Sequence, residues 1–272
     1  MSEYICIDIE TKGTTNPAVI DRIERGEKGR ECPGKPTSAN PRNDTIRRYQ
    51  KAVKIWEKNL GGRIQDQIDL TAKNPLYAEV LCAAVVTDDE AGGVVFSSED
   101  GEKEGIQALF RFIDEFSDEN TIYTGYYIKH FDIPALMTRA RVHGIKLPKY
   151  FPKIYGRSWS RNLKDIRDYI FSNKPNVSMS EAAEAYGITA KQTMWNGQPM
   201  TGARVQEAFR DGEIKMIEAY CLSDAMDEWE LFKKAIGIKE EKEKSAEEMI
   251  REILEGDMTD SQKVIAIKSM II

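Results

Sequence analysis

Hydrophobic and polar residues alternate along segment 5–11, ICIDIET, near the start of the chain. Because successive side chains of a β-strand point to opposite faces, the three isoleucines would share one face, and Asp8 and Glu10 would share the other. Two neighbouring carboxylates on a buried strand repel each other and lose hydration, so they need a cation or hydrogen-bond donors. A divalent metal ion is the simplest compensation, although two solvated acids at a strand end would give the same pattern.

Apolar periodicity along the rest of the chain predicts a sheet and its flanking helices. The predicted elements are a strand over 79–87, a strand over 94–98, a helix over 102–116, a strand over 121–125, a helix over 131–142, a strand over 163–166, a helix from 178 to about 187 and a helix over about 212–236. We expect the first two of these strands to form a hairpin beside segment 5–11. A mixed sheet with an antiparallel side, followed by β-α-β units, makes the expected fold class α/β.

Segment 11–75 interrupts this pattern. Its first part, to about residue 43, has several Gly and Pro residues and little apolar periodicity, which predicts an irregular excursion. A helix is predicted over 44–60, with Asp44 as its N-cap and Gly61 and Gly62 as its stop. An insertion of this length between two core strands is more often a lid, a clamp or a contact element than a passive loop.

The insertion is also basic. It carries 14 Lys and Arg against 8 Asp and Glu, a net charge of +6, whereas the whole chain has a net charge of −6. A basic segment beside an acidic body suits a polyanionic substrate, because cations attract phosphate while carboxylates recruit metal. A solvated surface segment would have the same composition, so this alternative stays open.

Residues 239–272 differ from the preceding domain, because their charged sequence predicts two further helices with narrow apolar stripes. We divide the chain into a domain over 1–238 and a helical C-terminal extension over 239–272. The helices of the extension would either pack on the edge of the core or contact a partner or a second copy of the chain.

The composition excludes several classes of protein. At 272 residues and 41% hydrophobic content the chain can bury a sizeable core, and it has neither an apolar run that could span a membrane nor a signal peptide, so we expect a cytoplasmic protein without a membrane partner. Its four cysteines form no C-x-x-C pair, which predicts reduced thiols. Two histidines disfavour a zinc site, so a metal site would be built from oxygen ligands, which favours Mg²⁺ or Mn²⁺.

Asp132 is a candidate partner for the two acids of the first strand. It precedes Ile133 and Pro134, which is a well-formed helix start with Asp132 as N-cap, and capping alone would explain the residue. The preceding strand could pair beside segment 5–11, so the helix N-terminus would then lie near Asp8 and Glu10.

Asp224 lies on the apolar stripe of the last core helix, three residues after Cys221. An acid on a buried face needs compensation. Tyr220, one turn earlier, projects to the same side, and its hydroxyl could reach whatever Asp224 binds. A tyrosine on the apolar stripe of a helix is ordinarily a core residue. Tyr220 is therefore a candidate site residue only together with Asp224.

The order of these three motifs, D-x-E, F-D-x-P and Y-x-x-x-D, resembles the DEDD superfamily of 3′-to-5′ exonucleases in its tyrosine subclass (DEDDy), in particular the proofreading exonuclease domain of family B DNA polymerases. The resemblance covers residues 4–10 and 76–236. It implies a ribonuclease H-like fold with a mixed five-stranded sheet flanked by helices, to which the insertion at about 11–75 is added. Two departures are the length of that insertion and Tyr127, which stands where the family usually has an asparagine.

The resemblance also implies a function, which is two-metal hydrolysis of a phosphodiester bond at the 3′ end of nucleic acid, with release of 5′-mononucleotides. Two Mg²⁺ or Mn²⁺ ions would be held by Asp8, Glu10, Asp132 and Asp224. These four residues and Tyr220 are the predicted catalytic residues, with Tyr220 orienting water rather than acting as a base. The predicted substrate-binding residues are Thr11, Tyr127 and Phe131. We expect a single-stranded 3′ end as substrate, DNA more than RNA.

Two other functions fit the same residues. One is a nucleic-acid-binding module that keeps the fold without catalysis. The other is a subunit that contacts a replication or repair protein through the insertion or the C-terminal helices.

Overall fold

The core of the molecule is a five-stranded mixed sheet built around β1 (Tyr4–Lys12). On one side, β2 (Glu79–Thr87) and β3 (Gly92–Ser97) extend the sheet as the predicted antiparallel hairpin. On the other side, β4 (Ile122–Gly125) and β5 (Leu163–Asp165) pair parallel. The expected mixed α/β sheet is therefore confirmed, with β1 at its centre.

The computed structural model describes residues 3–30, 36–37, 42–88, 92–97, 101–155, 158–171, 177–189 and 193–238. Its helices are α1 (Pro17–Gly29), α2 (Asn43–Lys58), α3 (Leu60–Leu70), α4 (Glu102–Phe116), α5 (Asp132–Val142), α6 (Ile166–Phe171), α7 (Met179–Ala185), α8 (Val205–Arg210) and α9 (Ile214–Ile236). A short 3₁₀ turn, Thr71–Lys73, follows α3. Two small hairpins pair Ile154–Tyr155 with Ser158–Trp159 and Met194–Trp195 with Gln198–Pro199.

Each face of β1 contributes to a different hydrophobic core. Ile5, Ile7 and Ile9 are buried with residues of α4 and α5. Cys6 is buried on the opposite face with residues of α9. This is the alternation that the sequence predicted, and it places Asp8 and Glu10 on the face that α9 covers.

The insertion differs from its prediction in two ways. Helix α1 forms within the part that we expected to be irregular. The helix predicted over 44–60 ends at Lys58, and α3 begins at Leu60 and continues through Gly61 and Gly62, which were predicted to stop it. Packing of α3 against α1 outweighs the low helix propensity of two glycines, about 1 kcal/mol each.

The chain divides into two units, 1–236 and 237–272. The predicted helices of 239–272 lie outside the described residues, and the boundary at 238 stays a prediction. Within the described residues, no helix is long and apolar enough to cross a membrane. Cys6, Cys82 and Cys221 are buried free thiols, as predicted, and Cys32 lies outside the described residues.

Candidate active site

Asp8 and Glu10 lie in the second half of β1, on the side of the sheet that faces α9. A register shift between Glu10 and Thr11 interrupts the pairing of β1 with β2, and such a bulge re-aims the side chains next to it. The Asp8 Oδ2 atom is buried and has no hydrogen-bond partner in the part of the chain that the structure describes. A buried carboxylate oxygen without a donor is costly, so this atom marks a place where a ligand is needed.

Asp132 is joined directly to β1. It is the first residue of α5, and Phe131 occupies the N-cap position, so the predicted capping role of Asp132 was wrong. Its Oδ1 atom instead accepts a hydrogen bond from the backbone N–H of Ile9 over 3.3 Å. Burial raises the pKa of Asp132 to about 7, which means that the carboxylate is poorly compensated by protein groups alone.

Helix α9 brings the third motif to the same place. The Cys221 thiol donates a hydrogen bond to the Asp8 carbonyl oxygen over 3.4 Å, which fixes the helix against β1. Asp224 follows three residues later, and burial raises its pKa to about 6 even though a hydrogen bond from Tyr220 lowers it. Burial, together with the nearby Asp224 carboxylate, raises the pKa of Tyr220 far above its usual range, so Tyr220 stays a neutral hydrogen-bond donor.

The carboxylates interact with one another. Burial raises the pKa of Asp8 well above its usual range, and the charges of Asp132 and Asp224 raise it further. The pKa of Glu10 rises for the same reasons, with burial first and Asp8 next. Bound cations would offset both the loss of hydration and the repulsion between the carboxylates. Since oxygen is the ligand that Mg²⁺ and Mn²⁺ prefer, the four side chains fit the divalent metals that the sequence predicted.

A cavity of about 730 Å³ opens beside Glu10. All three predicted substrate-binding residues, Thr11, Tyr127 and Phe131, line it. The sequence missed the rest of the wall, which comes from α3 with the following turn and from the region of α8. These residues are Asp66, Asp69, Leu70, Ala72, Lys73, Gly202, Ala203, Gln206, Glu207 and Arg210.

Contacts between the insertion and the core shape this cavity. The Thr11 hydroxyl donates a hydrogen bond to the Ala72 carbonyl oxygen over 2.8 Å, so Thr11 holds the turn after α3 in place. The Arg210 guanidinium pairs with Asp69 at 2.6 Å and joins α8 to α3. The insertion is thus one wall of the cavity beside the acidic residues, which could not be read from its composition.

Tyr127 has an unusual backbone. Its φ angle is +66°, in the left-handed region where Asn is far more common than Tyr. Its ring stacks on His130 at 4.8 Å, and the Arg167 guanidinium lies 4.1 Å from the ring centre. The departure from the family pattern therefore puts an aromatic face, 39% exposed, on the cavity wall.

A second group of potential metal ligands lies nearby. His130, Asp165 and Asp168 have ligand atoms within 4.8 Å of one another, and they are the only three described residues that do. Asp165 already accepts hydrogen bonds from the backbone N–H groups of Tyr127, Lys129, Arg167 and Asp168. The Lys129 ammonium pairs with Asp168 at 3.2 Å, so a cation already occupies this group.

The sequence also missed Glu228, a further buried acid on α9. Its carboxylate accepts hydrogen bonds from the Tyr126 backbone N–H and from the Cys6 thiol, the latter over 3.9 Å. Burial and the charges of Asp8 and Asp132 raise its pKa well above the usual range. The signal was present in the sequence, because Glu228 lies one helical turn after Asp224.

The fold and site together define a class of protein. The central strand, the start of α5 and the middle of α9 bring Asp8, Glu10, Asp132, Tyr220 and Asp224 together beside β1, and the mixed sheet has a ribonuclease H-like fold.

Comparison with known proteins names the family. A family model described as a predicted 3′-5′ exonuclease related to the exonuclease domain of PolB matches residues 73–266, and the chain belongs to this family. The match begins within the last residues of the insertion, so Asp8 and Glu10 lie before it. No curated protein matches the chain.

A solved structure shares the fold. It is the family B DNA polymerase from the hyperthermophilic archaeon Pyrobaculum calidifontis, with a TM-score of 0.52 and 19% sequence identity. The similarity covers 86% of this chain and 24% of the polymerase chain, so this chain spans about a quarter of the polymerase's length.

Proposed function

We propose that the chain, through its domain over 1–238, is a metal-dependent 3′-to-5′ exonuclease of the DEDDy type that removes 5′-mononucleotides from single-stranded 3′ ends. Family membership supports the reaction class. The observation that carries the proposal for this chain is the unpartnered, buried Asp8 Oδ2 atom among carboxylates whose pKa values are raised, because bound cations would stabilise the ionised form of these groups.

Asp8, Glu10, Asp132 and Asp224 would hold two Mg²⁺ or Mn²⁺ ions. Bound there, the ions would supply Lewis-acid chemistry, which is the activation of the attacking water and the stabilisation of the leaving oxygen. The protein's part is to place the four carboxylates. Lys129 is paired with Asp168 of the second acidic group rather than with these four residues.

Tyr220 has a different role from the carboxylates. Its phenol remains protonated at neutral pH, because burial and the Asp224 charge raise its pKa far above the usual range. A neutral phenol can donate a hydrogen bond but cannot accept a proton from water. Tyr220 therefore orients the attacking water, and its hydrogen bond to Asp224 keeps its ring in place.

The cavity favours a single-stranded end. A terminal nucleotide must leave its complement to enter a space of about 730 Å³ between α3 and α8. Tyr127 and Phe131 present aromatic surface there, and stacking on an aromatic side chain contributes about 1–3 kcal/mol per base. Base stacking is tolerant of sequence, so we expect little preference among the four bases.

The test is hydrolysis of strands labelled at the 5′ end, with single-stranded DNA, single-stranded RNA and duplex DNA as substrates and Mg²⁺, Mn²⁺ or EDTA as conditions. We expect a ladder of shortened products from single strands, DNA first, with metal only. Asp8→Asn, which keeps the shape of the side chain, should abolish the ladder, whereas Glu115→Gln on the exposed face of α4 should not. An intact strand under every metal condition would leave the non-catalytic binding module as the better description.

A further inference from the structure

Helix α2 carries a row of cations that the candidate active site does not use. They recur at intervals of four, three and four residues, so they share one face of the helix. This basic stripe consists of Arg47, Lys51, Lys54 and Lys58. All four side chains are exposed, and at 1.5 Å per residue the stripe is about 16 Å long.

The opposite face of α2 attaches the helix to the rest of the insertion. Ile46, Val53 and Trp56 are half-buried and follow a separate apolar stripe. The Arg63 guanidinium from α3 lies 4.3 Å from the centre of the Trp56 ring and donates a hydrogen bond to the Trp56 carbonyl oxygen over 2.8 Å. Arg63 also pairs with the buried Glu27 of α1 at 3.3 Å. The basic stripe therefore faces solvent, while contacts on the opposite face hold α2 against the rest of the insertion.

The charges of the basic stripe are uncompensated. Within the described part of the chain, none of its four side chains has a hydrogen bond or an ion pair. Helix α1 shows the contrast, because Arg25 pairs with Asp21 at 2.7 Å and Lys28 pairs with Glu24 at 3.0 Å, each one turn earlier. Four unpaired cations in register raise the local potential and attract a polyanion.

The position of the basic stripe relates it to the cavity. Helix α2 leads directly into α3, whose Asp66 and Asp69 line the cavity. Hydrogen bonds from the Asn59 N–H to the Ile55 carbonyl and from the Arg63 N–H to the Asn59 carbonyl continue the helical pattern across the junction. Asp66 lies eight positions after Lys58, which is a rise of about 12 Å along a helix. The near end of the stripe thus begins about 12 Å from the cavity wall, and its far end lies up to about 16 Å beyond.

We propose that the basic stripe binds the phosphodiester backbone of a single strand whose 3′ end occupies the cavity. This inference rests on the proposed function and adds the path of the strand outside the site. A stacked strand rises about 3.4 Å per nucleotide along its axis, so the stripe would span about four or five nucleotides, beginning about four nucleotides from the 3′ end. The stripe lies before the matched residues 73–266, so it is a property of this chain's insertion.

The test compares two variants with the same loss of charge, K51Q/K54Q on the basic stripe and R25Q/K28Q on α1. Affinity for a fluorescein-labelled single-stranded DNA dodecamer is measured by anisotropy in EDTA, over a range of salt concentrations. We expect K51Q/K54Q to bind about tenfold more weakly at 0.1 M salt and to lower the salt slope by about 1.4, since each phosphate contact contributes about 0.7. R25Q/K28Q should bind like the wild type, and both variants should keep the wild-type melting temperature.

Further arms identify the ligand and separate this inference from the proposed function. A single-stranded RNA dodecamer should show the same loss as DNA, whereas polyglutamate at equal charge should compete poorly. With metal present, the preference of hydrolysis for a dodecamer over a trinucleotide should fall in K51Q/K54Q. If no strand is hydrolysed but binding in EDTA still depends on the basic stripe, the proposed function fails, while the assignment of a single strand as the ligand of the basic stripe is kept. Equal binding by the two variants, or a larger loss on duplex DNA than on a single strand, would overturn the inference.

Discussion

The Asp132 carboxylate and the backbone N–H of Ile9 are joined by a hydrogen bond of 3.3 Å, which ties the start of α5 to the strand that carries Asp8 and Glu10. If the proposed function holds, this side chain has two roles that can be separated, since its oxygen holds the helix and its charge would bind metal.

Asp132→Asn and Asp132→Ala should separate them. Asn keeps an oxygen that can accept from Ile9, so we expect a folded protein with at least 100-fold lower hydrolysis, because the charge for metal binding is gone. Ala also leaves the buried Ile9 N–H without an acceptor, so we expect its free energy of unfolding to fall by about 1–3 kcal/mol relative to Asn. Urea unfolding and single-strand hydrolysis are the measurements. Full activity of the Asn variant would remove Asp132 from the metal ligands.

Tyr220→Phe tests whether the phenol orients water. The ring and its packing remain, while the hydrogen bond to Asp224 is lost, so we expect kcat to fall about 10- to 100-fold with little change in KM. Tyr169→Phe, which removes an exposed hydroxyl from α6, is the matched control and should leave both constants unchanged. A KM effect alone for Tyr220→Phe would place the hydroxyl in substrate binding.

The metal-free protein should lose stability as pH rises. The folded-state pKa values of Asp132, about 7, and Asp224, about 6, are raised above the ordinary value of 3.8, so their contribution is greatest at low pH and is lost as pH passes through about 6 to 7. We expect the melting temperature in EDTA to fall between pH 5 and pH 7.5, by a few degrees.

Divalent metal should reverse this dependence, because it binds the ionised carboxylates. At pH 7.5 we expect Mg²⁺ or Mn²⁺ to raise the melting temperature, and Asp224→Asn to weaken both the metal effect and the pH effect. Calorimetric scans with and without EDTA measure these changes. A melting temperature that is the same with and without metal at pH 7.5 would contradict the proposed metal ligands.

Gly13→Ala should disturb the cavity wall. A Cβ at Gly13 would lie 2.4 Å from the Ile68 carbonyl oxygen of α3, which is backbone and must move. We expect destabilisation of about 1–3 kcal/mol and a raised KM for single strands, since α3 lines the cavity. Gly26→Ala is the matched control, because nothing lies within 4 Å of its Cβ position and Ala favours the interior of α1 by about 1 kcal/mol. Equal effects of the two substitutions would show that the close approach of Gly13 to α3 is unimportant.

Tyr127 offers a test of the aromatic wall. Asn suits the left-handed φ of +66° better than Tyr, so Tyr127→Asn should keep or raise the melting temperature. Loss of the exposed ring should raise KM for single strands by about tenfold, equivalent to about 1.4 kcal/mol of stacking. His130→Gln, which removes the stacked neighbour but keeps the Tyr127 ring, should have the smaller effect on KM.

The sequence by itself determined the central strand and the order of the acids. The alternation of segment 5–11 is a local pattern of period two, and it correctly placed the isoleucines and Cys6 in different cores. Asp224 could be found because it lies on the apolar stripe of its helix, and Asp132 because it follows a strand that was expected to pair beside segment 5–11. Local periodicity carries this information without knowledge of the partners.

Only the tertiary structure decided the cavity and the insertion. Helix α3 forms through Gly61 and Gly62 because its packing and the bridge between Arg63 and Glu27 stabilise it, and both partners are far apart in the sequence. Asp132 accepts a hydrogen bond from the Ile9 N–H instead of capping its helix, and Arg210 pairs with Asp69. Both contacts also join segments that are far apart in the sequence. Contacts between distant segments depend on how the chain closes on itself, which hydrophobic periodicity does not encode.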